Sequence, residues 1–176
     1  DAKAYAPKTT RQAIEKGVFL VAKDRGENGI VPGFNIYENI SLPFLKRISN
    51  FGVTNRRGER NLARTQIASL GVVCRSERDE MNTLSGGNQQ KVMVGRWLTQ
   101  ASRVLILDEP FQGVDIAARR DIAAKLRASA AGRATLVFLT ELDEAFEIAD
   151  RILVMSEQTI VGEHRNAGIN VDKLLA

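Results

Sequence analysis

The chain is poor in the features by which many sequences declare a class. It has one cysteine, Cys74, in 176 residues. A single thiol forms no internal disulfide and implies no metal cluster, which fits a reducing cytosol. No apolar run approaches the ~18–20 residues that a membrane-spanning helix needs, so any membrane contact would be made through a partner. Residues 1–10 lack the apolar core of a secretory leader; without a starting methionine they read as a cut end. The phosphate-loop pattern G-x-x-x-x-G-K-[ST] occurs nowhere, and the glycines at 26, 29 and 33 do not fit it. The single tryptophan, Trp97, reads as core, not as a base-stacking platform. The single histidine, His164, lies beyond the last expected strand and reads as a solvated tail residue. The net charge of +4 is modest. Its basic residues are scattered apart from Arg56-Arg57 and Arg119-Arg120, which favours solvated faces over a nucleic-acid patch. Internal repeats and low-complexity segments are also lacking.

What is present suffices for one domain with a real core, with or without an appended subdomain. The stretch from Leu84 to Asp115 organises it. Ser85-Gly86-Gly87 opens an amphipathic run, so it marks a helix N-terminus with bare backbone N–H groups. Such an end favours an anion, phosphate above all, because dipole and free donors point at it. The glycines allow close backbone approach. Val104-Leu105-Ile106-Leu107 then reads as a buried strand with Asp108 and Glu109 at its C-terminal end, where open α/β sheets bind ligands. An aspartate there holds Mg²⁺ through water, and a glutamate polarises an attacking water.

The remaining chain alternates strand and helix signals. Thr9 or Thr10 caps a short helix stopped by Gly17, and Val18–Ala22 reads as a buried strand. Lys23–Gly33 reads as a charged loop. Asn35 and Glu38 have capping-box spacing. Ile36, Ile40, Phe44 and Leu45 form a helical face broken near Pro43. Arg56–Leu70 reads as a helix closed by Gly71, with Leu62, Ile67 and Leu70 inward. Asn88–Thr99 follows the Ser85 cap, with Gln89, Gln90 and Lys91 nearer the ligand end. Asp115 caps a helix over Ile116–Ala130, Thr135–Leu139 reads as a buried strand, and Leu142–Ala149 as a short acidic helix. Arg151–Met155 and Thr159–Gly162 read as edge strands joined at Glu157-Gln158, with a small helix over 171–175. This order predicts an α/β fold with a largely parallel sheet.

These residues resemble the ATP-binding subunit of ABC transporters. Leu84–Gln89 looks like the family signature, Leu105–Glu109 like its Walker B strand plus catalytic glutamate, and Gln112–Asp115 like its D-loop, with Ala149–Met155 downstream. Asn88-Gln89-Gln90-Lys91, Gly113-Val114-Asp115, Asp24-Arg25 and Tyr37-Glu38-Asn39-Ile40 resemble the second ATP-binding domain of bacterial sugar importers of the ribose, galactose and xylose type. The resemblance covers roughly Pro7 to Glu163. It implies a P-loop NTPase-like parallel sheet flanked by helices, with a helical subdomain, truncated on the N-terminal side. The implied divisions are a partial core lobe at 1–33, a helical subdomain at 34–84, a signature helix and core lobe at 85–163, and a tail at 164–176.

The resemblance further implies ATP and Mg²⁺ as ligands. Glu109 would be catalytic and Asp108 the metal contact. Ser85, Gly86, Gly87, Asn88, Gln89, Asp115, Lys23 and Thr140 would stand at nucleotide-binding positions. Two positions depart from the family. Lys23 stands where the Q-loop glutamine is usual, and a cation does not coordinate Mg²⁺. Thr140 stands at the switch-histidine position and cannot make the same charge-assisted phosphate contact. Without the Walker A loop the chain alone is expected to hold Mg·ATP weakly, since most of the phosphate grip comes from that loop and its lysine. The implied partners are a transmembrane permease, a second ATP-binding domain and, indirectly, a periplasmic sugar-binding protein, with no nucleic acid. The implied place is the cytoplasmic side of the bacterial inner membrane. One alternative is a degenerate, non-catalytic module that docks on a permease or partner ATPase. Another is a chromosome-maintenance ATPase, but the residues before the signature carry no sustained heptads.

Overall fold

A computed structural model describes residues 5–167. It divides into two compact units, Asp1–Phe138 and Leu139–Ala176. Among the described residues no helix is long and apolar enough to cross a membrane.

The first unit opens with helix α1 (Thr10–Glu15), whose N-cap Thr9 accepts from the backbone of Gln12. Gly17 then adopts φ +79° and turns the chain into strand β1 (Val18–Val21). The expected loop after β1 contains a one-turn π-helix, Arg25–Gly29, capped by Asp24. Helix α2 (Ile36–Ser41) carries the Asn35/Glu38 capping box and continues as a 3₁₀ turn over Leu42–Arg47. The two-residue strands β2 (Ser49–Asn50) and β3 (Val53–Thr54) form a small hairpin. Helix α3 (Arg56–Leu70) ends at Gly71, whose φ of +60° supplies the left-handed C-cap that glycine takes without penalty.

Helix α4 (Gly86–Leu98) begins directly after Ser85, two residues ahead of the expected start, because glycines at the first two helical positions cost little once the cap is made. Strand β4 (Val104–Asp108), helix α5 (Ile116–Ala128) and strand β5 (Ala134–Phe138) complete the unit. The sheet order is β1-β4-β5, all parallel, with Val18 opposite Val104 and Val104 opposite Ala134.

One face of the sheet is closed. Phe19, Val21, Leu105 and Leu107 are buried there, and Trp97 packs with Phe19 and Phe44 at centroid distances of 5.2 and 5.9 Å. The half-buried tryptophan thus packs onto this core, in keeping with the expectation. The other face carries Leu20, Leu136 and Phe138 about half exposed. Strand β5 thus corrects the buried strand expected at 135–139: within this unit it is an edge strand, and an apolar run does not tell which faces are covered.

A second cluster joins α2, α3 and α4 through Ile36, Tyr37, Ile40, Ala63, Leu70, Val72, Met81 and Val92. Gly95 lets α3 approach α4, since a Cβ there would stand 2.9 Å from Leu70 Cδ1. The buried Arg96 donates from Nε to the Asn39 carbonyl at 2.7 Å. That carbonyl's helical partner would be residue 43, and Pro43 has no N–H; Arg96 supplies the missing donor. Burial lowers the Arg96 pKa to about 10.

The second unit contains helix α6 (Leu142–Ile148) and the antiparallel hairpin β6 (Arg151–Ser156) and β7 (Thr159–Arg165), turning at Glu157-Gln158 as expected. Ala145 and Ile152 form its buried centre. His164 corrects the tail reading: it lies on β7, half-buried, paired with Ile152. The expected helix at 171–175 falls outside the described residues.

Candidate functional site

The site is assembled from two helix N-termini and the loop between a strand and one of them. Ser85 caps α4 by accepting from Asn88 N at 3.4 Å. Intrahelical geometry then leaves the Gly86 and Gly87 N–H groups without acceptors. Asp115 caps α5 by accepting from Ala118 N at 2.9 Å. The two caps lie against each other. A Cβ on Gly87 would stand 2.9 Å from both Asp115 Oδ2 and Ala118 Cβ, and one on Gly86 would stand 3.3 Å from the Gly113 carbonyl. Glycine at both positions is thus dictated by close packing of the signature-like stretch on the D-loop-like stretch.

Between them, β4 delivers Asp108 at its end and Glu109 immediately after. Glu109 has φ +45°, a region that side chains other than glycine adopt rarely. Its N–H donates to the Phe138 carbonyl at 3.0 Å, and its own carbonyl accepts from Gln112 N at 3.2 Å. The turn is weighted down by buried Pro110 and Phe111. The strand end and the helix caps are therefore consecutive parts of one connection, Asp108 to Asp115.

Not every expected site residue points the same way. Asn88 donates from Nδ2 to Ser85 Oγ at 2.9 Å and accepts from Val73 N at 2.8 Å. Gln89 donates to the carbonyls of Met81 and Leu84 at 3.0 and 3.2 Å. Both side chains secure the loop that leads into α4. Gln90 and Lys91, expected nearer the ligand end, are buried instead. Lys91 Nζ pairs with Asp121 at 2.7 Å and donates to the Gly71 carbonyl at 3.0 Å, tying α4 to α5 and to the end of α3. The 3.6-residue period turns these two positions inward although they lie close to the cap. Lys23 is exposed just after β1, and Thr140 is exposed in the second unit.

Three residues matter to the site that the sequence reading did not single out as functional. Arg25 donates from Nη1 to the Gln112 carbonyl at 2.9 Å. Arg96 and Asn39 hold the π-turn and α2 to α4: Arg96 Nη1 donates to the Gly29 carbonyl at 2.5 Å and Nη2 to Asn39 Oδ1 at 3.1 Å. Asp24-Arg25 and Asn39 belong to the stretches that carry the resemblance, but their partners lie far along the chain. The one local signal was Pro43, which leaves an acceptor open four residues earlier.

Asp108 and Glu109 are hard oxygen donors at a strand end. Mg²⁺ takes one or two carboxylates from a protein and the rest of its shell from phosphate and water, so this donor set fits that ion. Among the described residues no group of three or more His, Cys, Asp or Glu is placed to hold a metal by itself.

A family model described as ABC transporter matches residues 2–112. An arabinose import ATP-binding protein (AraG) of Pseudomonas syringae pv. syringae is 42% identical over 177 residues, covering 99% of this chain and 35% of the relative. A ribose import ATP-binding protein (RbsA 2) of Rubrobacter xylanophilus is 37% identical, covering 97% and 33%. The chain thus spans about a third of the length of the curated relatives it matches. Among solved structures, a dimeric ATP-binding cassette in a post-hydrolysis state bound to ADP and Pi superposes with a TM-score of 0.73 at 21% identity, covering 89% of this chain and 66% of that one. At that identity the match speaks for the fold, and it agrees with the parallel sheet and flanking helices expected from the sequence.

Proposed function

Because the chain belongs to the ABC transporter family, we propose that it forms part of the ATP-binding, ATP-hydrolysing subunit of a carbohydrate importer. The observation that carries this reading is the packing of the Ser85–Gly87 helix end onto the connection that runs from Asp108 to Asp115. A set of donors suited to phosphate and a pair of carboxylates are thereby built into neighbouring parts of one surface. Relatives about 40% identical over nearly the whole chain are described as import ATP-binding proteins, which supports the cargo class.

In this reading the free N–H groups of Gly86 and Gly87 and the Ser85 hydroxyl receive the γ-phosphate of a nucleotide held mainly by a second ATP-binding domain. At the other nucleotide, the one gripped by the phosphate loop of its own domain, Asp108 would hold Mg²⁺, which neutralises phosphate charge when bound. Glu109 orients the attacking water and takes its proton. The water oxygen bonds to the γ-phosphorus while the bond to the bridging oxygen breaks and leaves its electron pair on ADP. Asp115, Asn88 and Gln89 position the two helix ends. Lys23 and Thr140 stand at the Q-loop and switch positions without the usual glutamine and histidine. Residues 34–84 serve as the helical subdomain that docks on a transmembrane permease, with a periplasmic sugar-binding protein beyond it. The subunit would act at the cytoplasmic face of the bacterial inner membrane.

The test is ATP turnover by the intact subunit with its permease, Glu109→Gln against the unchanged protein. A drop of about 10²-fold or more is expected, in line with losing a group that acts at the reacting centre. Equal rates would remove the catalytic assignment and favour a docking module without hydrolysis.

A further inference from the structure

The segment after β1 reaches across the fold to both halves of the candidate site. Asp24 Oδ1 accepts from Gly26 N at 2.9 Å and Glu27 N at 3.1 Å, which fixes the start of the π-turn. At the other end Gly29 is buried against Met93, and its carbonyl is held by Arg96. The turn is therefore pinned at both ends. From this base the half-buried Arg25 side chain crosses to the D-loop-like stretch, where Nη1 meets the Gln112 carbonyl, 87 residues away. Its Nη2 lies 3.5 Å from the place a Cβ on Gly113 would take, and 2.7 Å from the place of one on Gly86.

A cation beside the positive end of α4 is not drawn there by the helix dipole, which repels it. The Gln112 carbonyl and the pinned turn hold it instead. A planar guanidinium with five donors can span two elements, whereas a lysine ammonium acts as a point charge. We propose that Arg25 is a positioning residue: it clasps the end of the signature-like helix to the D-loop-like stretch, so that both follow the segment after β1 as one body. The inference rests on the ATPase reading for its purpose, since it would keep phosphate donors and carboxylates in register. Its geometry stands without that reading.

The test is hydrogen exchange on the chain itself, without nucleotide. The reporters are the amides of Gln112 and Val114, which donate to Glu109 and Phe111, and those of Asn88 and Gln89, which donate to Ser85. Arg25→Ala is expected to speed exchange about tenfold at both pairs while amides of β4 and central α3 keep their rates. Arg25→Lys retains one donor for Gln112, so it restores Gln112 and Val114 but leaves Asn88 and Gln89 fast. Gly86→Ala displaces Nη2 and is expected to speed Gln112 and Val114 from the other element. If Arg25→Ala leaves either pair unchanged, or if Arg25→Lys leaves Gln112 and Val114 as fast as Arg25→Ala does, the clasp is wrong. A null Glu109→Gln result in turnover would sink the ATPase reading and leave these exchange outcomes untouched.

Discussion

Asn39 is fully buried and makes five side-chain hydrogen bonds, so replacing it by leucine tests the polar joint between α2, α4 and the π-turn. The bonds are not equivalent. Nδ2 donates to the carbonyls of Val31, Phe34 and Asn35, and each of these already has a second donor, namely Phe34 N, Met81 N and Asn39 N. Losing those three contacts costs little. Oδ1 is different. It accepts from Val31 N at 2.9 Å and from Arg96 Nη2 at 3.1 Å. Leucine fills a similar volume but leaves both donors unpaired. A buried unpaired amide costs about 1–3 kcal/mol, and a hydrogen bond to a charged group is worth about 1.5–3 kcal/mol. Apolar transfer of the new side chain returns roughly 1 kcal/mol. The expected net loss for Asn39→Leu is about 3 kcal/mol. At an unfolding slope of about 2 kcal/mol per molar urea, this lowers the midpoint by about 1.5 M. The single tryptophan, packed between Phe19 and Phe44 and next in sequence to Arg96, is the natural fluorescence reporter. A loss below about 1 kcal/mol with an unchanged slope would refute the reasoning, because it would mean the two donors find other partners cheaply.

Further outcomes follow from other contacts. Glu77 is buried and receives Arg64 and Arg60 at 2.9 and 2.7 Å; the Arg64 hydrogen bond first, with that of Arg60, outweighs desolvation and lowers its pKa from 4.5 to about 2. A carboxylate depressed in the folded state stabilises above its unfolded pKa and loses that contribution as pH falls from about 4.5 towards 2. With Arg64 half exposed and solvent-screened, this contribution is about 1–2 kcal/mol. The gap in urea midpoint between the unchanged chain and Glu77→Gln is therefore expected to be wide at pH 6, to narrow below pH 4.5 and to close only as pH falls through about 2; a pH-independent gap would contradict the ion-pair assignment. Gly87→Ala is expected to lose about 1–2 kcal/mol in the same assay, because its Cβ meets Asp115 and Ala118 at 2.9 Å and outweighs alanine's helix advantage. Its thermal midpoint is expected to fall by several degrees; a rise would show that α5 yields easily.

Local chemistry made much of this fold readable. The caps at Thr9, Asn35, Ser85 and Asp115 and the stop at Gly71 are set within four residues of chain, so the sequence displays both partners of each interaction. Trp97 was legible as core because its helix carries apolar neighbours at the right spacing. The polar joints were not legible. Arg25 meets Gln112 at a separation of 87, and Arg96 meets Asn39 at 57; a charged residue in a loop or late in a helix looks the same whether it is solvated or buried on a distant carbonyl. Lys91 was misplaced for that reason. Strand β5 was misjudged for another: an apolar run reports affinity for a cover but not which faces of the strand receive one. The stretches that resemble a signature and a D-loop stand out in the sequence, whereas their packing rests on Gly86 and Gly87 as contact surfaces, which only the structure reveals.

The sheet order has a kinetic consequence. Strand β4 joins β5 after 30 residues but joins β1 only across 86, by the pairings of Val104 with Ala134 and Val18 with Val104. Loop-closure entropy makes the longer connection costlier by roughly 0.9 kcal/mol, a modest gap for so large a difference in span. The β4–β5 pair should therefore form first, with β1 added after α2, α3 and α4 have shortened the effective path between the strands. The same slow logarithm means that residues added to the exposed loops between β1 and β4 cost little in closure entropy, provided that the α2–α3–α4 cluster still packs and Arg96 still finds Gly29 and Asn39.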